Sequence, residues 1–233
     1  KVQKKAIAAR KEKCLSGFRE LSRELLVINK SKAVDSGSFG KCYSASYREE
    51  FRVAVKIFKT KNSSAKVLEQ AKREALHEAM VISQLGDHHG IPHLFGVRTD
   101  KAPFYLVLQF YSVDGQTSST LTESLKNGNI KEASDCVSVL RNIVETLTFI
   151  HSQGYVHNDL KGNNVLLTRS PSGTLRPIII DFGKSEEIAI AHLPKPKVDF
   201  ARARKNFPHV APEIHRGERP SVASDVFSFG ALV

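Results

Sequence analysis

The sequence predicts an α+β chain in which a β-rich half with one main helix precedes a more helical half. Residues 28–59 hold strand-like runs on either side of the turn Asp35-Ser-Gly-Ser-Phe-Gly40. Residues 64–85 then carry a helical stripe of Leu68, Ala71, Ala75, Leu76, Ala79, Ile82 and Leu85. A second stripe, Val137, Leu140, Ile143, Val144, Leu147 and Ile150, marks a long helix in the other half.

In chain order, residues 2–28 read as an amphipathic helix, because Ile7, Leu15, Phe18, Leu21, Leu25 and Ile28 recur at steps of three, four or their sums. Basic residues fill much of its other face. A solvated helix packed on its own domain is the plain reading; a partner or an anionic membrane surface is the alternative. Arg52-Val-Ala-Val-Lys-Ile-Phe58 has a strand's alternation and β-branching. Strands return over 91–110, notably Phe104-Tyr-Leu-Val-Leu108. Asp114 to Thr120 is a polar loop, so a boundary falls near 110–117. Ser134 or Asp135 is the expected cap of the second long helix. Short strands follow at Asn164–Leu167 and Ile178–Ile180.

The 233 residues are 41% hydrophobic and 25% charged, the balance of a globular chain rather than a disordered or collagen-like one. No apolar run is long enough to span a bilayer, and residues 1–30 lack the apolar stretch of a signal peptide. Net charge is +11, of which +7 sits in the first 32 residues. This is a basic arm on a nearly balanced domain. The arm has one aromatic residue, Phe18, so nucleic acid is not the expected partner. Cys14, Cys42 and Cys136 are odd in number and lack metal-ligand spacing, which points to reduced thiols and a cytoplasmic location.

Three clusters carry chemistry. Gly37 and Gly40 flank Phe39 in a turn between strands, where missing Cβ atoms let backbone N–H groups approach phosphate oxygens. Lys56 lies inside an otherwise apolar strand; a buried ammonium needs an anion, and the next helix offers Glu74 and Glu78. The run His157-Asn-Asp-Leu-Lys-Gly-Asn-Asn164 places an Asp, a Lys and an Asn between a helix and a strand. Asp159 is suited to accept a hydroxyl proton, Lys161 to neutralise a phosphoryl oxygen and Asn164 to bind Mg²⁺. Asp181-Phe-Gly183 adds an acid at a strand end, a natural metal position.

Together with Ala211-Pro-Glu213 and Asp225-Val-Phe-Ser-Phe-Gly230, these runs resemble the signature set of eukaryotic-type protein kinases, in the family's order, over about residues 30–233. The resemblance is nearest to serine/threonine kinases. It implies a bilobal fold, with an antiparallel sheet and one main helix over 30–110, and a mainly helical lobe over 111–233 that is incomplete at its C-terminus. Residues 1–29 form the basic extension. By the same resemblance Lys56 contacts the ATP phosphates and pairs with Glu78, Asp159 is the catalytic base, and Lys161 is the serine/threonine-kinase lysine. Asn164 and Asp181 match the Mg²⁺ ligands. Val34, Gly37, Ser38, Phe39, Gly40 and Cys42 match the nucleotide-covering loop and its flanks. Ala54 and Leu166 resemble the adenine-sandwiching residues, Leu108 the gatekeeper, and Gln109-Phe-Tyr111 the hinge. Asp225 resembles the residue that braces the catalytic loop. The implied partners are ATP, Mg²⁺ and a protein substrate. The rival readings are an ATP-binding pseudokinase scaffold and a tyrosine kinase.

The chain departs from the family in places. Asp35 stands at the first loop glycine and Cys42 at the usual valine. Asn158 replaces an arginine that grips a phosphorylated activation loop, and Ser185 is the one hydroxyl side chain from Lys184 to Val210. Activity is therefore expected not to need phosphorylation of that segment. Lys195, Lys197, Arg202, Arg204 and Lys205 read as a solvated loop or as a preference for acidic substrates. A chain ending at Val233 is expected to leave Glu213 without its arginine partner and to expose apolar surface.

Overall fold

Val53 and Val55 are fully buried while Ala54 and Lys56, which alternate with them, are half-buried, so the strand has two distinct faces. In this computed structural model the described residues are 19–36, 40–60, 64–194 and 199–233. The side chains of Lys32 and of Val34 to Ser36 lie outside the description, as do Cys14, Gly37, Ser38, Phe39, Lys195 and Lys197. The chain divides into two compact units. One comprises the described residues up to Gly86 with His93–Phe110; the other comprises Asp87–Pro92 with Tyr111–Val233.

The first unit is an antiparallel sheet with one long helix. The strands are β1 (Leu26–Ser36), β2 (Gly40–Tyr47), β3 (Phe51–Phe58), β4 (Leu94–Arg98) and β5 (Tyr105–Gln109), in the order β1-β2-β3-β5-β4. One face buries Leu21, Leu26, Ala45, Tyr47, Val53, Val55, Tyr105 and Val107 as a single cluster. Helix α1 (Ala65–Leu85) packs against β3, β4 and β5 through Ala71, Ala75, Glu78, Ala79, Ile82 and Leu85. It stops at Gly86, whose φ of 73° suits glycine.

The helix expected over 2–28 needs correction. Residues 2–18 fall outside the described residues, and the end of the span holds no α-helix, only a single 3-10 turn at Arg23–Leu25. Arg19–Leu21 run beside β4, with Leu21 N–H donating to Val97 O (2.7 Å) and Val97 N–H to Arg19 O (3.0 Å). Leu26 opens β1, paired with Tyr47. Leu21 and Leu26 are buried, but Leu25 and Val27 are exposed. Backbone pairing with open strand edges thus overrides a three-to-four periodicity that had placed Leu25 on the apolar face.

The second unit is mainly helical. It contains α2 (Leu121–Lys126), α3 (Ala133–Ser152), α4 (Phe200–Asn206), α5 (Pro212–His215) and α6 (Val222–Gly230). Two short pairs accompany them: β6 (Tyr155–Val156) with β9 (Glu186–Glu187), and β7 (Val165–Arg169) with β8 (Leu175–Ile179). The buried face of α3 is Val139, Ile143, Thr146, Leu147 and Ile150, packed on β6 and β8. Val137 and Val144, expected inside, are exposed. The α3 cap is Glu132 rather than Ser134 or Asp135, without a side-chain bond. Helix α2 follows the polar loop, where the apolar periodicity of the sequence marks no helix. Its signal is local: Thr120 and Glu123 form a reciprocal capping box. Among the described residues no helix is long and apolar enough to cross a membrane.

Candidate active site

Lys56 points from the β3 face opposite the valine cluster, and its Nζ lies 2.7 Å from Glu78 Oε2 on α1. Glu78 is 2% exposed and Lys56 16%, so the pair is held in low dielectric, where removing one partner costs about 3–5 kcal/mol. Of the two acids that the sequence offered, Glu74 instead accepts from Gln70. Antiparallel register puts Lys56 between Cys42 and Leu106, and Ala54 between Ser44 and Leu108. Cys42, Ala54, Lys56 and Leu108 therefore share one half-buried face. Gln109 at the end of β5 is exposed. A Cβ on Gly40 would fall 2.2 Å from Ile57 O, so β2 approaches β3 there only because the residue is glycine.

The second unit holds the other cluster. Asp225, fully buried on α6, accepts from His157 N–H (2.8 Å) and Asn158 N–H (2.9 Å) and contacts His151 Nε2 (2.9 Å). These bonds fix the start of the loop 157–164. His157 is buried against Phe182; its Nδ1 accepts from Asp159 N–H, and its Nε2 meets Ile180 O at 3.1 Å.

Asp159 is thereby presented with little exposure. Its Oδ2 receives Lys161 Nζ at 3.0 Å and Asn164 Nδ2 at 3.1 Å. Its Oδ1 receives Lys184 Nζ at 2.9 Å and His209 Nε2 at 3.4 Å. Burial by itself would raise the pKa of Asp159. Hydrogen bonds from His209 and Lys184, the Lys184 charge and the Lys161 hydrogen bond outweigh it and hold the carboxyl well below its ordinary value.

Asn164 donates again to Asp159 O (2.8 Å), which turns its side-chain carbonyl away from Asp159. Its backbone oxygen accepts from Ile180 N–H (2.9 Å), bringing Asp181 next to it in space. Asp181 has φ 66° and ψ 66° at the start of the turn Phe182–Lys184. Tyr111 and Leu166 are half-buried; Leu166 lies on β7 opposite Ile178. Glu213 is not left bare: Ser224 Oγ donates to it at 3.0 Å.

Similarity to known proteins decides the family. The family model for the protein kinase domain matches residues 28–233. The chain belongs to the protein kinase family. This kinase domain is 26% identical over 203 residues to serine/threonine-protein kinase PknA of Nostoc sp., covering 85% of this chain and 35% of that protein. It is 29% identical over 206 residues to CDPK-related kinase 5 of Arabidopsis thaliana, covering 86% and 31%. It is 28% identical over 225 residues to tyrosine-protein kinase TXK of Homo sapiens, covering 94% and 39%. The chain thus spans less than two fifths of each of these relatives.

Protein kinases use ATP and, as a rule, Mg²⁺. The donor set of this kinase domain fits Mg²⁺: an amide carbonyl and a carboxylate, both hard oxygens, from Asn164 and Asp181. The sequence reading missed Lys184 and His209 at the carboxylate of Asp159. Lys184 directly follows Asp181-Phe-Gly183 and His209 stands two residues before Ala211, but nothing in the sequence pairs either with Asp159, and only the folded backbone brings them there.

Proposed function

We propose that this domain transfers the γ-phosphoryl group of ATP to serine or threonine hydroxyls of protein substrates. The observation that carries the reading is the buried Asp159 carboxylate with Lys161 and Asn164 on one of its oxygens. Asp159 orients the acceptor hydroxyl and takes its proton as the acceptor oxygen bonds to the γ-phosphorus and the bond to the ADP oxygen breaks. Lys161 neutralises charge on the transferred group. Lys56, aimed by Glu78, holds the α- and β-phosphates. Asn164 and Asp181 hold Mg²⁺, which supplies charge neutralisation at the phosphates. Gly37, Ser38, Phe39 and Gly40 cover the phosphates. Val34, Cys42, Ala54, Leu108, Gln109, Tyr111 and Leu166 receive the adenine. Serine/threonine specificity rests on Lys161 and on the likeness to serine/threonine-protein kinase PknA. We place the reaction in the cytoplasm, where Cys42 and Cys136, neither in a disulfide, stay reduced.

The test uses the full-length protein with radiolabelled ATP, Mg²⁺ and a protein acceptor, beside Asp159→Asn and Lys56→Met. Both variants are expected to lose about 10²-fold or more in rate. Equal label from all three proteins sinks the assignment. ATP binding without transfer selects the scaffold reading, and phosphotyrosine in the product selects a tyrosine kinase.

A further inference from the structure

We propose that Lys184 and His209 are positioning residues for the Asp159 carboxylate, closing both ends of segment 184–209 on one oxygen of the base. The proposal rests on the kinase reading above. Lys161 and Asn164 come from the same loop as Asp159 and occupy Oδ2. Lys184 and His209 come from outside that loop and share Oδ1, at 2.9 and 3.4 Å.

Each is anchored independently of the carboxylate. The Lys184 carbonyl accepts from Asn158 Nδ2 (3.1 Å), and the His209 carbonyl accepts from Ser228 Oγ (2.7 Å). The His209 ring also meets Phe207 edge-on, with centroids 6.4 Å apart. The anchored backbone therefore sets the donors, and the donors set the carboxylate. This matters because the terminal torsion of an aspartate is broad. Donors on Oδ2 alone leave its plane free to tilt; donors on both oxygens fix it. A general base acts only within hydrogen-bond reach of the proton it takes, and a misplacement of about 1 Å costs up to about 10²-fold in rate.

Two observations divide the roles. The His209 side chain is 17% exposed and Lys184 48%, so His209 is the fixed member and Lys184 the solvated one. His209 faces an ionised carboxylate through Nε2, so that nitrogen carries the hydrogen and donates. Glutamine offers an N–H of similar reach. Leucine fills the space without a donor.

The test measures kcat and both KM values of the full-length protein with His209→Gln, His209→Leu and Lys184→Met. His209→Leu and Lys184→Met are expected to lower kcat about tenfold or more, with KM for ATP held within about twofold; His209→Gln is expected to recover kcat to within about threefold. Equal loss in His209→Gln and His209→Leu, or an unchanged Lys184→Met, overturns the proposal. Lys184→Met guards against a folding defect in the other two, since its side chain is half solvated. If the wild-type protein transfers no phosphate, the kinase reading falls, and amide hydrogen exchange over residues 207–211 reads the clamp instead. Faster exchange in His209→Leu and Lys184→Met but not in His209→Gln supports it. The same exchange in all of them overturns it.

Discussion

The side-chain amide of Asn158 donates to the carbonyl oxygen of Lys184 at 3.1 Å, tying the loop that carries Asp159 to the start of segment 184–210. Asn158 has φ 65°, a conformation that asparagine tolerates better than most residues. The next residue, Ser185, is fully buried and donates to His157 O at 3.2 Å. The one hydroxyl side chain of the segment is thus turned inward, and a neutral amide makes the link at the position where the family's arginine meets a phosphate. Phosphatase treatment of the full-length protein is expected to leave kcat within about twofold, since a neutral hydrogen bond needs no added charge. Loss of activity traced by mass spectrometry to a phosphate removed from residues 184–210 would refute this.

The sequence made some of this legible and not the rest, for physical reasons. Lys56 was readable because a lysine in an apolar strand demands a nearby acid, and spacing along one helix left two choices. The grouping of Asp159 with Asn164 was readable because one short loop holds them five residues apart. Lys184 and His209 were not, since the separation of 50 residues between Asp159 and His209 leaves no local pattern. The strap Arg19–Leu21 and the first residues of β1, Leu26 to Ile28, were misread as helix for a related reason. Their conformation is set by the edges of β4 and β2, and periodicity carries no information about a partner strand.

His88 stacks on Phe149 at 4.4 Å and on His89 at 4.3 Å. Burial, and next the neighbouring His89, push its pKa below the ordinary 6.5; Glu145 pulls the other way. Because the folded value is the lower one, the unfolded chain takes up this proton first as pH falls. The histidine's contribution to stability is therefore full above about pH 6.5 and declines below it. Ring-proton NMR is expected to show His88 titrating below 6.5, with His89→Ala moving it up and Glu145→Gln moving it further down. A midpoint at or above 6.5 contradicts the assignment.

His215 is buried at the end of α5 with its ring edge against Phe200, centroids 5.8 Å apart. Among the described residues neither of its ring nitrogens has a hydrogen-bond partner. A buried polar atom without a partner costs about 1–3 kcal/mol, and an apolar group of similar size removes that cost. His215→Leu is expected to raise stability by about 1 kcal/mol, seen as a higher urea midpoint at unchanged slope. A lower midpoint would mean that the ring does have a partner in solution.

Gly90 is fixed by contact rather than by its backbone angles. A Cβ there would lie 1.9 Å from Thr146 Oγ1 and 2.9 Å from Thr146 Cβ. Neither side has room to yield. Thr146 is fully buried and donates to Asn142 O at 2.8 Å within α3, while Gly90 O accepts from Ile179 N–H at 2.8 Å. Gly90→Ala is therefore expected to destabilise the protein by about 2–3 kcal/mol through overpacking. Thr146→Ala removes the two atoms closest to the added methyl, so the double variant is expected to be more stable than the sum of the single changes by about 1–2 kcal/mol. Chemical denaturation of the four proteins measures that coupling. Strict additivity would show that residue 90 and α3 do not touch, and that the loop reaches β8 by another path.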